Sequence, residues 1–283
     1  MSFKNTVLPV QTTIQSRGCL LDLSQPIIMG ILNATPDSFY NKGKDSDTDS
    51  LLRNAEKMLN EGAAILDVGG ASTRPGAELI DADEELQRVL PVIEALAKQF
   101  PDAWLSVDTY NASTAKAAVE AGASIINDVS SGALDEHMLA TVAALQVPYI
   151  AMHMRGLPKT MQQDPQYDDV VYEVRDYLRK VCDNCAALGI TDIIIDPGFG
   201  FGKTLKHNFA LLNDLATLRI LGRPILAGIS RKGMVWKTLG TTPEQALNGT
   251  TALHMAALQQ GANILRVHDV KEAMEVVKLW GMM

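Results

Sequence analysis

Short apolar runs alternate along the whole chain with longer segments of helical periodicity. The runs at 26–32 (PIIMGIL), 63–68 (AAILDV), 103–108 (AWLSVD), 123–128 (ASIIND), 147–153 (VPYIAMH), 191–198 (TDIIIDPG), 223–230 (RPILAGIS) and 262–269 (ANILRVHD) each read as a strand. They are apolar throughout rather than alternating, as strands covered on both faces are. The stretches between them carry helix punctuation. DTDSLLRNAEKMLNEG closes at Gly62, DADEELQRVLPVIEALAKQF has acids in its first turn, and NASTAKAAVEAG closes at Gly122. DEHMLATVAALQ, VVYEVRDYLRKVCDNCAALG, NFALLNDLATLRI, a helix starting near Pro243 and VKEAMEVVKLW complete the series. An unbroken series of strand–helix units of this kind predicts an α/β chain folded as a (β/α)8 TIM barrel, which typically takes roughly 250 residues. An open doubly wound sheet is the alternative, but it normally has fewer strands and a glycine fingerprint after the first. The segment TTIQSRGCLLDL, within an extension covering 1–25, predicts a short N-terminal hairpin across the base of the barrel. With no linker or low-complexity stretch, residues 1–283 are expected to form one domain.

Composition narrows the function classes. At 47% hydrophobic and 20% charged residues, the chain has the balance of a soluble globular enzyme. A net charge of −8 argues against a nucleic-acid partner or an anionic membrane surface, both of which need a basic face. The N-terminal MSFKNTVLPVQTTIQSRG lacks the apolar core of a signal peptide, and no run approaches the ~20 apolar residues of a membrane helix. A cytoplasmic location is expected. The three cysteines, Cys19, Cys182 and Cys185, fit a reducing compartment. Cys182 and Cys185 lie within one long helix and lack a second ligand pair, so they read as structural thiols rather than a zinc or redox site.

The chemistry concentrates at strand ends. IIIDPGFGFGKT, 193–204, looks like a phosphate loop but fails both registers: a Walker loop would need glycine where Pro197 stands, and the dinucleotide fingerprint would need it at Lys203. In a barrel of this kind the active site lies at the carboxyl ends of the strands. Read there in order, the chain offers Asn33, Arg74, Asp108, Asn127, Asp128, His153, Asp196, Lys232, Arg266 and His268. A carboxylate accepts two parallel N–H bonds from an amino-pyrimidine edge, so the acids and amide suit a fused heterocycle. Arg74, Arg266 and His268 supply donors for a cluster of anionic oxygens. His153 and His207 read as hydrogen-bonded structural residues.

The segments MGILNATPDSF (29–39), LDVGGASTRPGA (66–77), SVDTY (106–110), IINDVSS (125–131), MHMRGLPKTMQ (152–162), DPGFGFGKT (196–204), GISRKGM (228–234) and LRVHDVKEA (265–273), in this order, resemble the dihydropteroate synthase family. The resemblance spans Pro26 to Trp280. It implies a pterin-binding barrel that joins 6-hydroxymethyl-7,8-dihydropterin pyrophosphate to p-aminobenzoate in folate synthesis, with Mg2+ as cofactor and sulfonamides as competitive inhibitors. It assigns Asp108, Asn127, Asp196, Phe201, Gly228 and Lys232 to the pterin. Asn33, Arg74, Arg266 and His268 are assigned to the pyrophosphate, with Asn33 also a ligand of the metal. Phe39, Thr73, Pro75, Lys232 and Gly233 are assigned to p-aminobenzoate, and Asp37, Arg74 and Lys232 are implied as catalytic. Family members are usually homodimers. Two departures from the family pattern stand out: Gly233 replaces a serine in the usual SRKS, and Ala71 replaces an acid. A corrinoid-linked methyltransferase barrel or a non-catalytic pterin-binding barrel are the competing readings, and neither has a reason to retain the pyrophosphate cations.

Overall fold

Eight parallel strands form the barrel in the computed structural model, which describes residues 10–34, 47–71, 76–157 and 159–283. A two-stranded antiparallel hairpin, β1 (Thr13–Ser16) and β2 (Cys19–Asp22), precedes them. Its turn residues Arg17 and Gly18 both have positive φ, 52° and 78°, the conformation a tight hairpin turn requires. The barrel strands are β3 (Ile27–Asn33), β4 (Ile65–Gly69), β5 (Trp104–Asp108), β6 (Ile125–Asp128), β7 (Tyr149–Met152), β8 (Ile193–Asp196), β9 (Leu226–Ala227) and β10 (Ile264–Val267). Each pairs with the next from β3 to β8, β10 bridges β9 and β3, and a bridge between Ile195 and Ile225 closes the ring. The helices α1 (Asp47–Asn60), α2 (Ala82–Gln99), α3 (Ala112–Ala121), α4 (Met138–Leu145), α5 (Val170–Ala187), α6 (Leu205–Asn213), α7 (Gly233–Leu239), α8 (Leu247–Gln259) and α9 (Val270–Trp280) follow the strands.

Three elements differ from the sequence reading. The segment 223–230 forms only a two-residue strand; just ahead of it the Ile225 N–H bonds the Asn263 Oδ1 at 3.0 Å, and Ile225 pairs with Ile195 as an isolated bridge. The helix expected from Asn208 begins at Leu205, where Thr204 and His207 form a reciprocal capping box, and ends at Asn213; the chain then tightens into a 3-10 helix at Leu215–Leu221. The helix expected near Pro243 opens as a separate 3-10 turn, Pro243–Gln245, ahead of α8. Helix α7 was not anticipated. Its signal was present in the buried Met234 and Val235 and in Gly240, which ends it at φ +63°.

The barrel interior changes character from one tier to the next. Met29, Ile65, Ile125, Ile150, Ile194, Leu226 and Ile264 form one apolar cluster with Ile14 and Leu23 of the hairpin region, plugging the base. Because side chains alternate along a strand, the residue two positions on from each faces the same interior. Those residues are Ile31, Asp67, Asn127, Met152, Asp196, Gly228 and Arg266. A dry floor thus lies directly beneath a charged tier. The opposite faces of the strands, including Ile28, Leu66, Val107 and Ile126, pack under the helices in a separate large cluster.

Cys182 and Cys185 are free and buried on α5, and burial raises the Cys185 thiol to about 12, as expected of inert structural thiols. Among the described residues no helix is long and apolar enough to cross a membrane. His254 on α8 is buried with neither ring nitrogen hydrogen-bonded, and burial lowers its pKa to about 4. The unfolded chain takes up this proton near 6.5 and the folded chain resists it, so stability present above about 6.5 is lost as pH falls toward 4. From this residue alone, urea unfolding is expected to show a loss of about 2 kcal/mol at pH 5 relative to pH 7.5. His254→Leu should flatten that slope.

Candidate active site

All eight strands run the same way, so their carboxyl ends meet at one mouth. Across adjacent strands Asn33 stands beside Gly69, Gly69 beside Asp108, and Asp108 beside Asn127; further round, Met152 stands beside Asp196. On the far side Gly228 leaves its backbone bare. A Cβ there would lie 3.7 Å from Lys232 Nζ and 3.9 Å from Asp196 Oδ2, so the ammonium and the carboxylate flank the same spot. Lys232 Nζ also donates to the Phe199 carbonyl at 2.5 Å and stands 4.7 Å from the centre of the Phe201 ring. Asp196 Oδ1 accepts the Gly198 N–H at 2.7 Å.

Arg266 lies at the heart of the charged tier. Its Nε donates to Asp67 Oδ2 and its Nη2 to Asp108 Oδ2, both at 2.6 Å, leaving Nη1 with no described partner. Asn127 Nδ2 donates to the same Asp67 oxygen at 3.1 Å. His268, two residues beyond Arg266, shares a 3.1 Å contact between its Nδ1 and Ser230 Oγ. Arg231 forms a bidentate pair with Asp269, at 2.9 and 2.6 Å, that ties the loop after β9 to the start of α9. Gly233 opens α7, where an added Cβ would meet the Lys237 side chain at 3.6 Å and the Trp236 ring at 4.0 Å.

Burial dominates the electrostatics. It pushes Asp108 up to about 7, against the pull of Arg266 and with help from Asp67. It raises Asp196 despite Lys232, and lowers Lys232 to about 8 despite Asp196. Burial also opposes the charge on Arg266, but attraction to Asp67 and Asp108 outweighs it and raises that pKa. The mouth therefore pairs buried carboxylates with partly buried cations, a setting in which an incoming polar ring or anion is held more strongly than in open water.

The loop after β8 is no phosphate cradle. Lys203 turns inward and donates to the carbonyls of Gly198 at 2.8 Å and Phe201 at 3.1 Å, with His153 Nδ1 at 2.9 Å. Gly198 and Gly202 have φ of +69° and +63°, and Cβ atoms on them would come within 1.9 Å of the His153 carbonyl and 2.3 Å of the Arg155 carbonyl. The glycines let this loop lie flat against the segment after β7. Burial, then Lys203, drives His153 down to about 2, so the ring is neutral beside the lysine. His207 caps α6. Neither histidine is placed as a base.

Asn33, Asp108, Asn127, Asp196, Phe201, Gly228, Lys232, Gly233, Arg266 and His268 thus gather at one mouth. Asp37, Phe39, Thr73, Arg74 and Pro75 lie outside the described residues. The sequence reading missed Asp67 and Lys203. Asp67 was detectable as a lone acid in the middle of the apolar strand ILDVG, and Lys203 as a cation in a loop that had failed both phosphate registers.

Residues 29–268 match the pterin binding enzyme family. The chain is 45% identical over 266 residues to the dihydropteroate synthase of Escherichia coli K12, covering 93% of this chain and 94% of that one. The crystal structure of the Yersinia pestis dihydropteroate synthase with a sulfonamide drug is similar at a TM-score of 0.90 and 44% identity, over 95% of this chain and 98% of that chain. The Xanthomonas albilineans dihydropteroate synthase in complex with 7,8-dihydropteroate is similar at a TM-score of 0.86 and 40% identity, over 95% and 98% of the two chains.

Proposed function

The chain belongs to the dihydropteroate synthase family of pterin-binding enzymes, and from that premise we propose how the residues at its mouth divide the work. The reaction is a transferase step of folate biosynthesis: 6-hydroxymethyl-7,8-dihydropterin pyrophosphate and p-aminobenzoate give 7,8-dihydropteroate and pyrophosphate. Asp108, Asn127 and Asp196 accept hydrogen bonds from the pterin, with Asp196 at its amino edge. Lys232, Phe201 and the backbone of Gly228 close its sides. Arg266 through Nη1, His268, Asn33 and Arg74 hold the pyrophosphate. Phe39, Thr73, Pro75, Lys232 and Gly233 surround p-aminobenzoate, and Asp37 steadies positive charge as it develops. The observation that carries the reading is Asp196 and Lys232 converging on bare Gly228, at the mouth where Arg266, Asp108 and Asn127 already meet.

Pyrophosphate departs with the electron pair of the C–O bond, leaving a methylene cation stabilised by the electron-rich ring. The neutral arylamine attacks that carbon, forming the C–N bond, and then sheds a proton to solvent. No strong base is needed, so the protein contributes position and electrostatics. Among the described residues no group of three or more His, Cys, Asp or Glu could hold a metal. Mg2+ keeps water and phosphate oxygens and needs only one or two protein oxygens, of which the Asn33 amide would supply one. When bound, it neutralises charge on the leaving group. Sulfonamides compete for the aminobenzoate pocket, where Gly233 offers no hydroxyl. The same reading carries over from the family resemblance a homodimer in the cytoplasm, with residues 1–283 read as one domain and 1–25 as its extension.

Mg2+-dependent release of pyrophosphate from the pterin ester, sustained over many turnovers only with p-aminobenzoate, tests the reading; a chain that binds pterin but releases none fails it. The pH profile should carry the signature of Lys232. Its pKa of about 8 means the cation is lost as pH rises through that value, so kcat/KM for the ester is expected to fall above pH 8. In Lys232→Arg, whose guanidinium does not titrate there, the alkaline limb should vanish from the residual activity.

A further inference from the structure

Asp67 belongs to the same charged tier as Asn127 and Arg266, in the middle of β4, and is fully buried. Its Oδ2 accepts from Arg266 Nε at 2.6 Å and from Asn127 Nδ2 at 3.1 Å. Among the described residues its Oδ1 has no hydrogen-bond partner, and neither has Oγ of Ser106, its register neighbour on β5. A buried carboxylate with one oxygen idle is a poor stabilising device, since a well-packed apolar side chain would avoid the desolvation cost. What it does is impose orientation.

The two ends of an amide are nearly the same shape and differ in whether they donate or accept. Opposite an oxygen that already accepts from a guanidinium, Asn127 must turn its NH2 toward Asp67. Its Oδ1, which accepts from no described residue, is left for the mouth. We infer that Asp67 is a positioning residue that holds Asn127 with its carbonyl toward the ligand and anchors Arg266 beneath, so that Asp108, Asn127 and Asp196 offer the ring acceptors alone. The inference rests on the pterin assignment above and adds that the pocket selects a ring edge of N–H donors. A side chain that does not touch the ligand sets this selection.

Asp67→Asn keeps the shape but frees the amide to settle either way round. Calorimetry with 6-hydroxymethylpterin should show at least a tenfold loss of affinity. KM for the pyrophosphate ester should rise in step while kcat at saturation stays within threefold. In an Asn127→Ala background the same substitution should cost less than threefold more. Unchanged affinity, or losses that multiply fully in the double variant, would overturn the inference. A wild-type chain that bound no pterin would instead overturn the ring assignment, and this inference with it. A measurement on the unmodified chain serves if Asp67→Asn does not fold. The Asn127 side-chain amide protons should exchange slowly with solvent and show no coupling to a 15N-labelled ring nitrogen on pterin binding; such a coupling would overturn the orientation.

Discussion

Asp196→Ala is expected to reduce pterin affinity at least a hundredfold and to leave no measurable turnover. The carboxylate is buried, one oxygen is fixed by the Gly198 N–H at 2.7 Å, and the other faces bare Gly228 beside Lys232. A ring edge meeting it would pair two donors with one charged acceptor, and hydrogen bonds to charged groups contribute roughly 1.5–3 kcal/mol each. Losing both amounts to about 3–6 kcal/mol, or more than two decades of affinity. The substitution also removes the carboxylate that opposes the fall in the Lys232 pKa, so the ammonium should lose its proton below about 8. Calorimetry with pterin decides the first point. The alkaline limb of kcat/KM in Asp196→Asn, displaced to lower pH, decides the second. Pterin affinity within threefold of wild type would remove Asp196 from the ring site.

Gly198→Ala is expected to disable the same carboxylate from a distance. An L-residue at φ +69° costs roughly 1–2 kcal/mol by itself. The added Cβ would also stand 1.9 Å from the His153 carbonyl, an overlap with backbone that no side-chain rotation relieves. The loop must move, carrying the N–H that fixes Asp196 and the two carbonyls that receive Lys203. The combined loss should exceed about 4 kcal/mol, and activity should fall more than a hundredfold. Gly240→Ala is the control. It has the same left-handed backbone, φ +63°, with nothing within 4 Å, so only the conformational cost of about 1–2 kcal/mol applies. Denaturant midpoints of the two variants separate clash from backbone preference. Equal losses would mean that the loop after β8 does not pack as described.

The alternation of apolar runs and amphipathic helices was enough to read the barrel, because burial on both faces leaves an unmistakable stripe in each strand. The site residues on β3, β5, β6 and β8 were legible for a related reason: a polar side chain at the end of such a stripe has few other uses. Pairings were not legible. Arg266 meets Asp67 and Asp108 across 199 and 158 residues of chain, and nothing local marks either acid as its partner. Arg266 therefore read as a free cation for an anion, whereas two of its nitrogens serve carboxylates. The seventh apolar run is longer than the strand it forms, since only Leu226 and Ala227 pair with β10 while Ile225 bonds Asn263 of another segment. Lys203 escaped because a lysine after glycines suggests phosphate, and only the fold shows that carbonyls surround it.

The stoppered base has a kinetic consequence. With Ile14 and Leu23 wedged among the isoleucines of the floor, the described residues close the vessel at that end. Whatever sits deepest must arrive before anything above it and leave after it. With the ring and arylamine placed as proposed, a queue of this kind makes the bicyclic heterocycle the obligatory first arrival and lets an arylamine already in place block its escape. Excess arylamine arriving ahead of its turn should then slow the cycle rather than hasten it.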